Sequence, residues 1–201
     1  MTTWNDDDIA ACLKVVDPED DQTGGGTAAA VAGAMAAGLA GMVARLSIGR
    51  DGMEPESYYR EIDAEAQVLT GSLIRGGRED SEAFGAVMRA FTLPKCTDDE
   101  KAARSHAIQE GMVGAAMVPL ENAERCASVL GLVGRLDGRS NRNAASDLDV
   151  ARALARTALL GCLANVAINL ESIKDEATAA ALRTRADELR SVLDAEEKDH
   201  G

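Results

Sequence analysis

Apolar residues in this chain recur at three- and four-residue steps and almost never alternate, which is the periodicity of helices packed on one another. Val and Ile gather into no strand-like runs, and no Asn-Gly or Asp-Gly turn joins two such runs. The pattern predicts helices over Asn5 to Val16, Gly26 to Ile48, Pro55 to Ile74, Asp80 to Phe91, Asp98 to Met117, Pro119 to Leu136, Asp147 to Ile173 and Glu176 to Lys198. Pro18, Pro55, Pro94 and Pro119 serve as punctuation: Pro55 opens a helix whose first turn is acidic, Pro94 breaks the chain after Leu93, and Pro119 interrupts or restarts a helix. The terminal EEKDHG is expected to fray. Linkers are short and no repeat is visible, so residues 1–201 are expected to form one all-α, multi-helix bundle domain.

Composition sharpens that picture. The chain is 46% hydrophobic but only 2% aromatic, so the core has to be built from Ala, Leu, Val, Ile and Met. The segment GGGTAAAVAGAMAAGLAGMVARLSIG carries no charge before Arg45 and repeats small residues at helical spacing, with Gly33, Ala37 and Gly41 on one line. A helix with small residues on nearly all sides needs close neighbours, and a second copy of the chain is a suitable cover; a homodimer is expected. Its length also raises a membrane span, which the Gly/Ala content and the acidic residues before it argue against.

A formal net charge of −13 offers no Lys/Arg face for a nucleic-acid backbone. An acidic ligand would instead need cations gathered locally, and Arg45, Arg50, Lys95, Arg139, Arg142 and Lys174 lie near the motifs. Cys12, Cys96, Cys126 and Cys162 form no CxxC pair, and His106 and His200 are the only imidazoles, so neither a metal site nor a disulfide framework is indicated. The cysteines suit reduced thiols, the opening MTTWNDDD lacks the features of a secretory signal, and a cytoplasmic location is expected.

Three constellations are candidates for chemistry. Gly24, Gly25 and Gly26, followed by Thr27, open a helix whose first N–H groups are unobstructed by side chains. Thr157, Gly161, Asn165 and Asn169 fall at four-residue steps on an otherwise apolar helix, where two amides either lock a helix contact or bind a polar ligand. Ser146 with Asp149 resembles a capping box at the start of that helix. The third set is acidic: Glu79, Asp80 and Glu82, together with Asp147. Carboxylates at helix starts are ordinarily caps, and catalysis is the alternative reading.

Taken in order, GGGTAAAVAGAMAAGLAGMVARLSIG, DSEAFGAVMRAFTLPK, TDDEKAARSHAIQEG with Val118 to Leu120, SDLDVA and NVAINLESIKDE resemble the cyclodeaminase/cyclohydrolase family. That family includes the cyclodeaminase half of formiminotransferase-cyclodeaminase and bacterial methenyltetrahydrofolate cyclohydrolases. Thr23 and Thr27 stand where its members have Pro and Ser, and Arg50, Asp51, Gly52 and Met53 replace a lysine-rich segment. The resemblance implies a helical homodimer and a tetrahydrofolate substrate, with no further cofactor. It implies catalysis by Asp147 or Asp80, orientation of the substrate by Asn165 and Asn169, a cleft lined by Gly24 to Gly26, Thr27 and Ser146, and Arg45 and Lys95 meeting glutamate carboxylates. Hydrolysis of 5,10-methenyltetrahydrofolate is favoured over formimino cyclodeamination, which normally receives its substrate from a transferase domain. A folate-binding helical dimer without activity is the third expectation.

Overall fold

The computed structural model describes residues 5–20 and 23–200; Met1 to Trp4, residues 21 and 22, and Gly201 lie outside the described residues, as does much of the opening stretch read above for a signal. The described residues are helical and contain no strand. The elements are α1 (Asp6–Lys14), α2 (Gly25–Ser47), α3 (Glu56–Phe91), α4 (Asp98–Leu136), a single 3-10 turn (Arg142–Ala144), α5 (Ala145–Leu170) and α6 (Glu176–His200). The α6 helix continues through most of the stretch expected to fray.

The local starts follow from the side chains. Asn5 caps α1 in a reciprocal box with Asp8, and Thr97 does the same for α4 with Glu100. Two boundaries depart from expectation. Residues 56–91 form one helix, because Gly76 and Gly77, which weaken a helix by about 1 kcal/mol each relative to Ala, sit where neighbours press against the backbone. A Cβ on Gly76 would overlap the buried Asn122 amide, and one on Gly77 would touch Thr27. The α4 helix likewise runs unbroken through the buried Pro119. The Ser146/Asp149 box does not form: α5 starts earlier, on the 3-10 turn, and its N-cap Ala144 supplies no side-chain bond.

The central element is α2, which packs chiefly against α3 and α5 and also touches α4. Its small residues permit this. A Cβ on Gly33 would lie 2.7 Å from Cys126 Sγ, and one on Gly161 of α5 would lie 2.9 Å from the Ala29 Cβ. Gly26 faces Asn165, Ala29 faces Gly161 and Gly33 faces Ala158, so α2 and α5 run antiparallel and the N-terminus of α2 meets the C-terminal half of α5. Tyr59, Ile62, Leu73, Val129, Leu132, Leu159 and Leu163 fill the core around them. A second apolar cluster, including Leu120, Val166, Leu170 and Leu182, seats α6 on α4 and α5. By length and composition α2 and the stretch Arg142–Leu170 are each apolar enough to cross a membrane, but most of α2 is spent inside the bundle.

Candidate active site

The site is assembled where α2 begins. Gly24 is the N-cap of α2 in an extended conformation and offers no side-chain bond to the free N–H groups that follow. The missing cap comes from another helix. Asp80, on α3, accepts the backbone N–H and the hydroxyl of Thr27, with Thr27 Oγ1 and Asp80 Oδ2 3.1 Å apart. The same hydroxyl lies 3.1 Å from the Gly77 carbonyl.

One hydroxyl proton has two acceptors here. With Asp80 ionised, the proton is shared between the Gly77 carbonyl and the carboxylate. With Asp80 protonated, the acid donates to Thr27 Oγ1 and Thr27 donates to Gly77, so every partner is satisfied. Thr27 is fully buried, which keeps water from replacing either bond. Burial raises the Asp80 pKa above the ordinary carboxylate range, and the hydroxyl and backbone bonds from Thr27 oppose that shift without cancelling it.

The geometry requires glycine at one of the three positions, Gly26. A Cβ on Gly26 would meet the two Asp80 carboxylate oxygens at 2.5 and 2.6 Å, and would collide with Asn165 Nδ2 as well. The absence of a side chain therefore lets a carboxylate from α3 and an amide from α5 converge on one backbone position. Gly24 and Gly25 have nothing within 4 Å of their Cβ positions and remain open toward the space in front.

That space is a cavity of about 460 Å³ lined by Gly24, Gly25, Gly26, Asp80, Asn165 and Asn169 at its polar end. Phe84, Val87, Met88 and Phe91 of α3, Met112 and Ala115 of α4, and Ile168 and Ser172 form the remainder. Both phenylalanines of the chain are in this wall. Arg104 fixes one of them, donating from Nη2 to the Phe91 carbonyl at 3.2 Å with its guanidinium 5.7 Å from the ring centroid. The floor is held from behind by Asn122, which donates to the Gly76 carbonyl at 3.1 Å and accepts from Arg125 at 2.7 Å. Cys126 and Cys162 lie buried in contact nearby; their mutual hydrogen bond and their burial raise the Cys162 pKa strongly and keep it a neutral packing thiol.

The structure thus brings together Gly24, Gly25, Gly26, Asp80, Asn165 and Asn169, with Thr27 directly behind Asp80. Thr27, expected in the lining, is fully buried and reaches the cavity only through Asp80, and four other expected residues are kept out of this cavity altogether. Asp147 and the exposed Ser146 sit in the first turn of α5, and Asp147 is about 27 Å along that helix from Asn165. Arg45 lies about 28 Å along α2 from Gly26, in a close ion pair with Asp63. Lys95 is exposed on the turn between α3 and α4. The apolar wall went unnoticed in the sequence although its signal is present: Phe84, Met88 and Phe91 are spaced four and three apart, in a chain with only two phenylalanines.

Comparison with known proteins agrees with this architecture. The chain is 39% identical over 171 residues to the methenyltetrahydrofolate cyclohydrolase of Methylorubrum extorquens, covering 85% of this chain and 81% of that one. It is 35% identical to the formimidoyltransferase-cyclodeaminase of Sus scrofa over 83% of this chain, and spans only 31% of that longer protein. The crystal structure of formiminotetrahydrofolate cyclodeaminase from Thermotoga maritima superposes with a TM-score of 0.80 at 27% identity, covering 92% of this chain and 88% of the other. Since the formiminotransferase-cyclodeaminase family model also matches residues 8–188, nearly the whole bundle and every wall of the cavity, this chain belongs to that family.

Proposed function

We propose that this protein is a folate one-carbon enzyme that hydrolyses 5,10-methenyltetrahydrofolate to 10-formyltetrahydrofolate. The observation that carries the reading is the convergence of Asp80 and Asn165 on Gly26 at the polar end of a cavity whose other walls are apolar. A flat, partly apolar heterocycle suits Phe84, Met88 and Phe91, while the methenyl bridge, a delocalised cation, suits a position beside Asp80.

Asp80 is the group placed to move protons. Its raised proton affinity suits a residue that must both accept and return a proton. As water oxygen adds to the bridge carbon between N5 and N10, a water proton passes to the carboxylate. Collapse of the adduct breaks the N5–carbon bond: Asp80 returns its proton to N5, and the adduct hydroxyl proton leaves to solvent. The net products are 10-formyltetrahydrofolate and one proton. The relay through Thr27 to Gly77 satisfies the protonated and the ionised carboxylate alike, so neither state needs rearrangement of the floor.

The homodimer belongs to the same proposal. Ser146, Val150, Ala153, Thr157, Leu160, Ala164 and Ile168 fall along one exposed side of α5, and Met35 and Leu46 are exposed on the packed α2. Met35 is 56% exposed, Val150 50% and Leu160 47%, an apolar face that a second copy would cover. A two-fold contact centred near Thr157 sets the start of one α5 against the C-terminal half of the other. Asp147 and Ser146 then belong to the partner's cavity, which reconciles their distance from Asn165 within one chain.

The direct test is the absorbance of 5,10-methenyltetrahydrofolate with purified protein in a buffer where uncatalysed hydrolysis is slow. Accelerated loss supports the reading; binding without loss would indicate a folate-binding dimer without turnover. The fold shared with the Thermotoga maritima cyclodeaminase makes 5-formiminotetrahydrofolate the second substrate to assay, with ammonia release as the readout.

A further inference from the structure

Pro119 lies inside α4, and a proline there has no N–H to give the carbonyl one turn back. That carbonyl belongs to Ala115, in the cavity wall. Its partner comes from α5 instead: Asn169 Nδ2 donates to Ala115 O at 2.7 Å. The second hydrogen of the same amide is directed to the Asn165 carbonyl at 3.0 Å. Both donors of the Asn169 side chain are therefore consumed by backbone, and its Oδ1, used by no hydrogen bond among the described residues, is what the amide has left to offer the cavity.

We infer that Pro119 is a positioning residue for ligand recognition. By freeing the Ala115 carbonyl it fixes the orientation of the Asn169 amide, so that this point of the cavity presents an acceptor and never a donor. A ligand edge that carries N–H groups is selected there, and an edge carrying only carbonyl oxygen is refused. The amide N–H and exocyclic amino group of a pterin supply such an edge; this part of the inference rests on the folate reading given above. The arrangement also accounts for a proline at a helix-interior position, where alanine would serve the helix better.

The test is Pro119→Ala. The alanine N–H gives Ala115 its helical partner, removes the reason for Asn169 to hold its orientation, and relieves a helix-interior proline. The melting temperature is expected to hold or rise while KM for 5,10-methenyltetrahydrofolate rises about tenfold, the worth of one neutral hydrogen bond, with kcat changed less than about threefold. Asn169→Ala should raise KM similarly, and the double variant should be no worse than Asn169→Ala alone. An unchanged KM in Pro119→Ala, additive losses, or a KM loss accompanied by a lower melting temperature would each overturn the inference. A second measurement needs neither the variant nor a substrate. In the amide spectrum of the wild-type protein both Asn169 side-chain protons should exchange slowly with solvent, and fast exchange of either one refutes the lock. Wild-type protein that neither binds nor turns over the folate while keeping those protons protected would sink the folate reading and leave the positioning intact.

Discussion

Gly26→Ala separates the fold from the site. The new methyl would lie 2.5 and 2.6 Å from the Asp80 oxygens, whereas ordinary contact begins at 3.4 Å, and Asn165 Nδ2 meets it too. The carboxylate must therefore retreat by about 1 Å, a misplacement that costs on the order of 10²-fold in rate. That factor in kcat/KM corresponds to about 2.7 kcal/mol of lost transition-state stabilisation. The atoms displaced are the ends of two side chains rather than backbone, so the helices need not move, and replacing a helical glycine returns up to about 1 kcal/mol. The melting temperature should consequently stay within a few degrees of wild type. Gly131→Ala is the control: it is exposed on α4 with nothing within 4 Å of its Cβ position, and it should gain stability and keep full activity. The assays are thermal melting by circular dichroism and initial rates on 5,10-methenyltetrahydrofolate. A Gly26→Ala protein that melts with wild type and keeps more than a third of its kcat/KM would refute the reasoning, because Asp80 and Asn165 would then not need the positions they hold.

Four further outcomes follow from the same geometry. Asp80→Asn should lower kcat/KM by about 10² to 10⁴. Because burial raises the Asp80 pKa, the native state keeps a proton that the unfolded chain releases near pH ~3.9, and stability is lost as pH rises through the folded pKa. The uncharged variant escapes that loss, so its melting temperature should gain on wild type as pH rises above about 4; a difference that does not change with pH would remove burial as the cause. Asp80→Asn and Asp147→Asn proteins, each impaired alone, should recover activity when refolded together, since the mixed dimer keeps one intact site; no recovery on mixing would argue that Asp147 serves no partner cavity. Leu160→Glu places a charge on the exposed face of α5 and should shift the sedimenting species to monomer at micromolar concentration, whereas an unchanged species would place the dimer contact elsewhere.

Much of this fold could be read from the spacing of small residues, because α2 is held by backbone approach and only Gly and Ala permit it. What escaped the sequence was set by partners distant along the chain. Gly76 and Gly77 look like a break between two helices when only propensity is weighed; the gap closes because Asn122 and Thr27 occupy the room their missing side chains leave. Pro119 looks like a boundary for the same reason, and the carbonyl it leaves unpaired, that of Ala115, is met by an amide 54 residues further on. Ser146 and Asp149 have the spacing of a cap, but the 3-10 turn before them starts the helix first.

Asp80 was legible as a candidate and illegible as to kind. A carboxylate at the start of a helix is usually a cap for that helix, and the sequence offered a start there; in fact Asp80 stands deep within α3 and caps α2 instead. The two readings that competed for it, cap and catalytic acid, are therefore not alternatives. The N–H and hydroxyl of Thr27 fix the carboxylate and pull its pKa down, while the apolar walls that make the cavity fit a flat ring strip it of water and push the pKa up, and burial wins. Helix capping supplies the position and desolvation supplies the proton affinity. A site that needed only a fixed charge beside a cation would be served best by an acid held ionised, so a placement that raises the proton affinity of the carboxyl favours a proton-transfer role over a purely electrostatic one.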